Sequence, residues 1–125
     1  MVVLAACGSN DSKTSTSDTK DTAAVEKPAA TNDISANPDY QKGLALIAQS
    51  DCLTCHKVSE KLTGPSYQEV ANKYAGSDTA MNYLVGKIIK GGKGVWGAVP
   101  MTPHPLLSET DVQQMVKYIL LLKTN

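Results

Sequence analysis

Cys52-Leu53-Thr54-Cys55-His56 puts two thiols and an imidazole within five residues. This is the C-x-x-C-H pattern through which haem is attached to a polypeptide. Each thiol adds to one porphyrin vinyl group, and the two vinyls sit on adjacent pyrroles. Two intervening residues bridge that span, and the next residue then lies under the iron, where imidazole serves as an axial ligand. Two other chemistries use paired cysteines. A zinc site would need two more Cys or His at ligand spacing, but the only other histidine is His104 and no further cysteine lies near the motif. A thioredoxin-like redox pair needs a βαβ setting, which the helical patterning below does not provide.

The sixth iron position separates electron transfer from gas or substrate chemistry. Val99-Pro100-Met101-Thr102-Pro103-His104-Pro105 sets a methionine among prolines. A thioether is neutral and soft, so it favours ferrous iron and raises the reduction potential. Prolines fix φ and stiffen the loop that must keep a weakly binding sulfur in place. Met81 and Met115 fall on apolar helical stripes and read as core residues, and Met1 opens the chain. His104 is the rival ligand. Its ordinary role would be that of a solvent-exposed loop residue between two prolines.

Helices must position these groups. Asn37-Pro38 is a helix start, with Asn as cap and Pro at the first helical position. Tyr40, Leu44, Ile47 and Ala48 follow at helical spacing. Residues 66–75 carry Tyr67, Val70, Ala71 and Tyr74 on one face. Residues 79–90 carry Met81, Leu84, Val85, Ile88 and Ile89, stopped by Gly91-Gly92. A last helix opens at Ser108-Glu109-Thr110-Asp111, a capping-box-like start, and buries Val112, Met115, Val116, Ile119, Leu120 and Leu122. No strand pattern competes. The expected domain is all-α, with four helices and long irregular connections.

The chain has 125 residues and a net charge of zero, with twelve lysines and no arginine. That balance gives no polyanion-binding surface and argues against nucleic acid as a partner. Residues 8–37 hold three lysines against five acids, and residues 38–125 hold nine lysines against seven acids, so the domain is mildly basic. No phenylalanine and one tryptophan leave aromatic packing area scarce, a gap that a large apolar cofactor would fill. Residues 9–33 are Ser, Thr, Asp, Lys and Ala with a single large apolar residue, so no packed face can form. As a flexible tether this segment would reach roughly 30 Å. Three cysteines exclude a simple disulfide framework and leave Cys7 to be explained. Leu4-Ala5-Ala6-Cys7-Gly8 resembles a bacterial lipobox, whose cysteine becomes lipidated and N-terminal. No basic n-region precedes it and the apolar lead is short, so the expected gene starts upstream of Met1. The expected organisation is a lipoprotein signal remnant at 1–7, a disordered polar linker at 8–36, and one domain at 37–125.

Residues 38–125 resemble the class I c-type cytochromes, most closely the small bacterial ones that shuttle electrons to nitrite reductases and terminal oxidases. The C-x-x-C-H motif carries the resemblance together with Thr63-Gly64-Pro65-Ser66-Tyr67, Glu69-Val70-Ala71, Gly91-Gly92, Gly94-Val95-Trp96-Gly97-Ala98-Val99-Pro100-Met101 and Lys117-Tyr118-Ile119-Leu120. It implies the cytochrome c fold around one covalent haem c, with Cys52, Cys55, His56, Pro65, Trp96 and Met101 at the cofactor and His56 and Met101 on iron. The Pro65 carbonyl would accept the His56 Nδ1 proton. Trp96 would donate its indole N–H to a haem propionate, helped by a lysine or backbone N–H groups because no arginine is present. Gly43 would let the first helix cross the last near Tyr118. The implied function is a monomeric, one-electron carrier that performs no bond chemistry. It would be tethered at Cys7 on the periplasmic side of a membrane and would serve redox-protein partners. Lys57, Lys61, Lys87, Lys90 and Lys93 would ring the exposed haem edge. The alternatives are a haem-based catalytic or gas-binding module with an open sixth position, and a docking subunit of one larger complex.

Overall fold

Capping side chains fix where three of the four helices begin in the computed structural model, which describes residues 33–124. Asn37 accepts from the Asp39 N–H at 2.8 Å, ahead of Pro38, and starts α1 (Pro38–Ala48). Ser66 and Glu69 form a reciprocal capping box at the start of α2 (Tyr67–Lys73), with bonds of 3.1 and 2.7 Å. α3 (Ala80–Lys90) ends at Gly91, whose φ of +69° suits a residue without a Cβ. Ser108 caps α4 (Glu109–Leu121) through the Asp111 N–H. Two short 3-10 turns complete the order, Ile34–Ala36 and Cys52–Thr54.

Ile34–Ala36 is a correction to the sequence reading, which placed it in the unstructured linker. Asp33 caps this turn, and Gln41 Nε2 donates to the Ser35 carbonyl at 3.0 Å. Cys7 and residues 8–32 of the linker lie outside the described residues.

The core sits where α1, α2 and α3 each pack on α4. Val112, Met115, Val116 and Tyr118 of α4 are all but fully buried, together with Ile47 of α1 and Ala71 of α2. Burying each large aliphatic side chain contributes about 1.5–3 kcal/mol. Leu120, expected in this face, is only partly buried, and Tyr118 takes the enclosed place instead. Tyr118 fits because α1 presents Gly43 to it. A Cβ at Gly43 would collide with the Tyr118 Cβ and lie 2.6 Å from the Gln114 carbonyl oxygen. Among the described residues there are four α-helices and no strand beyond an isolated Gly92–Met101 bridge. None of these helices is long and apolar enough to cross a membrane. Two irregular segments, residues 49–66 and 91–108, are left to shape the site.

Candidate functional site

The first segment folds the Cys52–His56 motif into a single turn. The N–H groups of Cys55 and His56 both donate to the Cys52 carbonyl, at 3.2 and 3.0 Å. The turn brings Cys52, Cys55 and His56 to one wall of a cavity of about 610 Å³. Core side chains such as Ile47, Leu84 and Ile119 form its floor, and residues 92–102 form the facing wall. The two motif cysteines form no disulfide with each other.

Three neighbours fix the His56 ring. Nδ1 lies 2.7 Å from the Pro65 carbonyl oxygen. A carbonyl only accepts, so Nδ1 carries the proton and Nε2 is left as a lone-pair donor to a metal. Gly64 lies against the ring so closely that a Cβ would stand 2.5 Å from Cε1 and 2.9 Å from Nδ1. Its own N–H donates to the Cys55 carbonyl at 2.8 Å. Tyr67 stacks on the imidazole with centroids 5.5 Å apart and planes 20° from parallel. In the sequence, Gly64 and Tyr67 stand in the Thr63–Tyr67 motif with no role of their own at the site. The Ser-x-x-Glu capping pattern was the available signal, because it fixes Tyr67 as the first helical residue.

Electrostatics on this wall disfavour anions. Burial pushes the Cys52 thiol up, with the charge of Asp51 adding to it. Burial likewise raises the Tyr67 hydroxyl well above its ordinary value. A sulfur bound as a neutral thioether suits such a place better than a thiolate.

The second segment brings up Met101. Its backbone pairs with Gly92, N–H to carbonyl at 2.8 Å and carbonyl to N–H at 3.2 Å. Gly91 makes room for the returning chain, because a Cβ there would strike the Met101 carbonyl. Met101 lines the same cavity as His56. His104, expected to be solvent-exposed, is a correction. Its side chain is only 19% exposed, and its Nε2 lies 2.9 Å from Asp51 Oδ1.

Trp96 lines the cavity with 37% of its surface exposed, and Lys73 Nζ sits 5.4 Å above its ring. Of the five lysines expected around the edge, Lys61, Lys87 and Lys93 line the cavity. Lys57 instead pairs with Glu60 at 3.2 Å, and Lys90 is exposed away from the lining.

Among the described residues, no three His, Cys, Asp or Glu side chains gather as a cage for a bare metal ion. The donor set fits a metal that arrives inside a large apolar cofactor. Two thiols stand ready for covalent links, an oriented imidazole stands on one wall, a thioether lies on the cavity lining, and lysines edge it. The family model described as Cytochrome c matches residues 40–123. The chain belongs to the cytochrome c family.

The cytochrome is 46% identical over 78 residues to cytochrome c-552 of Hydrogenobacter thermophilus, covering 62% of this chain and 79% of that one. It is 40% identical over 83 residues to cytochrome c-551 of Allochromatium vinosum, covering 66% and 88%. The crystal structure of wild-type Nitrosomonas europaea cytochrome c552 matches at a TM-score of 0.62 and 41% identity, covering 64% of this chain and 99% of that one. The protein is a small class I c-type cytochrome with the cytochrome c fold. As in its family, the cofactor is a single covalently bound haem c, and the role is carriage of electrons rather than enzymatic catalysis.

Proposed function

We propose that this cytochrome carries one electron at a time on a haem joined to Cys52 and Cys55, with His56 and Met101 as axial ligands. The observation that carries the reading is the His56 ring, set by Pro65 and Gly64 to offer Nε2 to the cavity that Met101 also lines. When bound, haem supplies an iron that cycles between two charge states. Pro65 holds the imidazole proton on Nδ1 and raises the basicity of Nε2. The Gly92–Met101 pairing holds the sulfur-bearing loop against the end of α3. Core side chains keep water from the cavity floor, which favours the less charged state. Trp96, Lys87 and Lys93 serve the propionates in place of an arginine, and the cationic edge meets acidic redox proteins.

Replacement of the sixth ligand tests this reading. Met101→Ala should lower the reduction potential, a property that axial ligands set over about 0.8 V across haem proteins. It should also abolish the weak far-red ferric band and open the iron to cyanide. A high-spin ferric spectrum in the unaltered protein would instead favour a gas-binding or catalytic module.

The placement we propose is periplasmic, with residues 37–125 as the haem domain, 8–36 as a tether and acylated Cys7 as the anchor. Support comes from the Leu4-Ala5-Ala6-Cys7 lipobox resemblance and the polar stretch behind it. Protein expressed from its native gene should partition into detergent, and its Cys7→Ser variant should not. An unmodified Met1 on exported, haem-loaded protein would end the proposal.

A further inference from the structure

Asp51 and His104 stand 53 residues apart in the chain, and both line the cavity. Asp51 immediately precedes Cys52, whereas His104 follows Met101 by three residues. Their side chains meet at 2.9 Å, and because a carboxylate only accepts, Nε2 is the donor. Among the described residues, this is the one hydrogen bond between residues 49–66 and residues 92–107. The other ties of the Met101 loop run elsewhere. Met101 pairs with Gly92, and the His104 N–H donates to the carbonyls of Ile88 and Ile89 at 3.0 and 3.2 Å, all at the end of α3.

The imidazole is set firmly, since its side chain is 19% exposed while Asp51 reaches in from solvent at 72%. Its second nitrogen, Nδ1, is buried without a partner among the described residues. Leaving a buried nitrogen unpaired is unfavourable, so the orientation is held by what the ring gains at Nε2 and by its flanking prolines. Prolines stiffen the loop internally but do not fix its place relative to the motif.

We propose that the Asp51–His104 pair is a clasp that closes the Met101 loop onto the haem-attachment turn, making both residues positioning residues for the axial sulfur. The proposal rests on Met101 being the sixth ligand. A thioether binds ferric iron weakly, so how often the loop swings away governs how fast an outside ligand replaces it. The clasp acts on that opening step, from two residues that both line the cavity.

Cyanide replacement in the ferric haem-loaded protein reads this step. Asp51→Ala and His104→Ala should each speed replacement roughly five- to tenfold, the size expected of one partly exposed charged hydrogen bond. Both should keep the far-red band at rest. Asp51→Asn, which retains an acceptor oxygen, should recover most of the loss, and the double variant should be no faster than either single one. Single variants at the unaltered rate, or effects that multiply in the double variant, would overturn the clasp. Absence of the far-red band in the unaltered protein would instead remove the Met101 assignment on which it rests. If the variants fail to take up haem, nitrogen-15 NMR of the unaltered protein decides. A proton resident on His104 Nε2 is the expected result, and a ring protonated on Nδ1 alone overturns the clasp.

Discussion

A carbonyl oxygen at 2.7 Å sets the tautomer of His56, but it does not by itself stop the ring from tilting. Gly64 and Tyr67 do that, one by absence of a side chain and the other by stacking. Gly64→Ala is therefore expected to push the imidazole or the 62–65 backbone aside. It should lower stability by about 1–3 kcal/mol, as overpacking does, and shift the reduction potential. Denaturant unfolding and a redox titration check the two effects, and a variant unchanged in both would show that the ring has room to spare. The thiols and His56 were legible because their spacing is local and covalent. Gly64 and His104 were not, because each is defined by a neighbour that folding brings close, His56 in one case and Asp51 across 53 residues in the other.

Helix crossings decide whether a glycine inside a helix helps or harms. Gly43 and Gly86 both sit in helix interiors, yet only Gly43 has a neighbour where a Cβ would go. Gly86→Ala should stabilise the protein by about 0.5–1 kcal/mol, the ordinary gain of replacing a helical glycine. Gly43→Ala should destabilise it by about 1–3 kcal/mol or more, because α1 must retreat from Tyr118 and Gln114. Thermal melts of the two haem-loaded variants test the opposite signs, and two shifts of the same sign would refute the close crossing. The four helices were legible from apolar periodicity and from Asn37, Gly91 and Ser108 at their ends. The Ser66–Glu69 box adds a start signal for α2 that apolar periodicity alone does not supply. Ile34–Ala36 was missed because its order comes from Asp33 and Gln41 rather than from any apolar pattern.

Over the whole molecule, tyrosines replace phenylalanine in the interior and bring a pH limit with them. Burial, with Tyr40 nearby, pushes the Tyr118 hydroxyl up to about 12, and burial raises Tyr67 as well. In the unfolded chain both ionise near about 10. Between those values the unfolded chain has lost protons that the folded chain keeps, so stability falls as pH rises; below about 10 these groups leave it unchanged. Denaturant unfolding across pH 9 to 12 should show this decline, and Tyr118→Phe should flatten it while keeping the ring. An equal slope in that variant would exonerate Tyr118. The same packing has a consequence for the order of events as the chain is made. α1 packs mainly on α4, and Glu109 is synthesised 54 residues after Cys55. At ordinary elongation rates that delay is roughly 3–10 s. For that interval the two thiols belong to a chain whose core lacks the helix on which α1, α2 and α3 all pack, so the segment that completes the packing is the last one made.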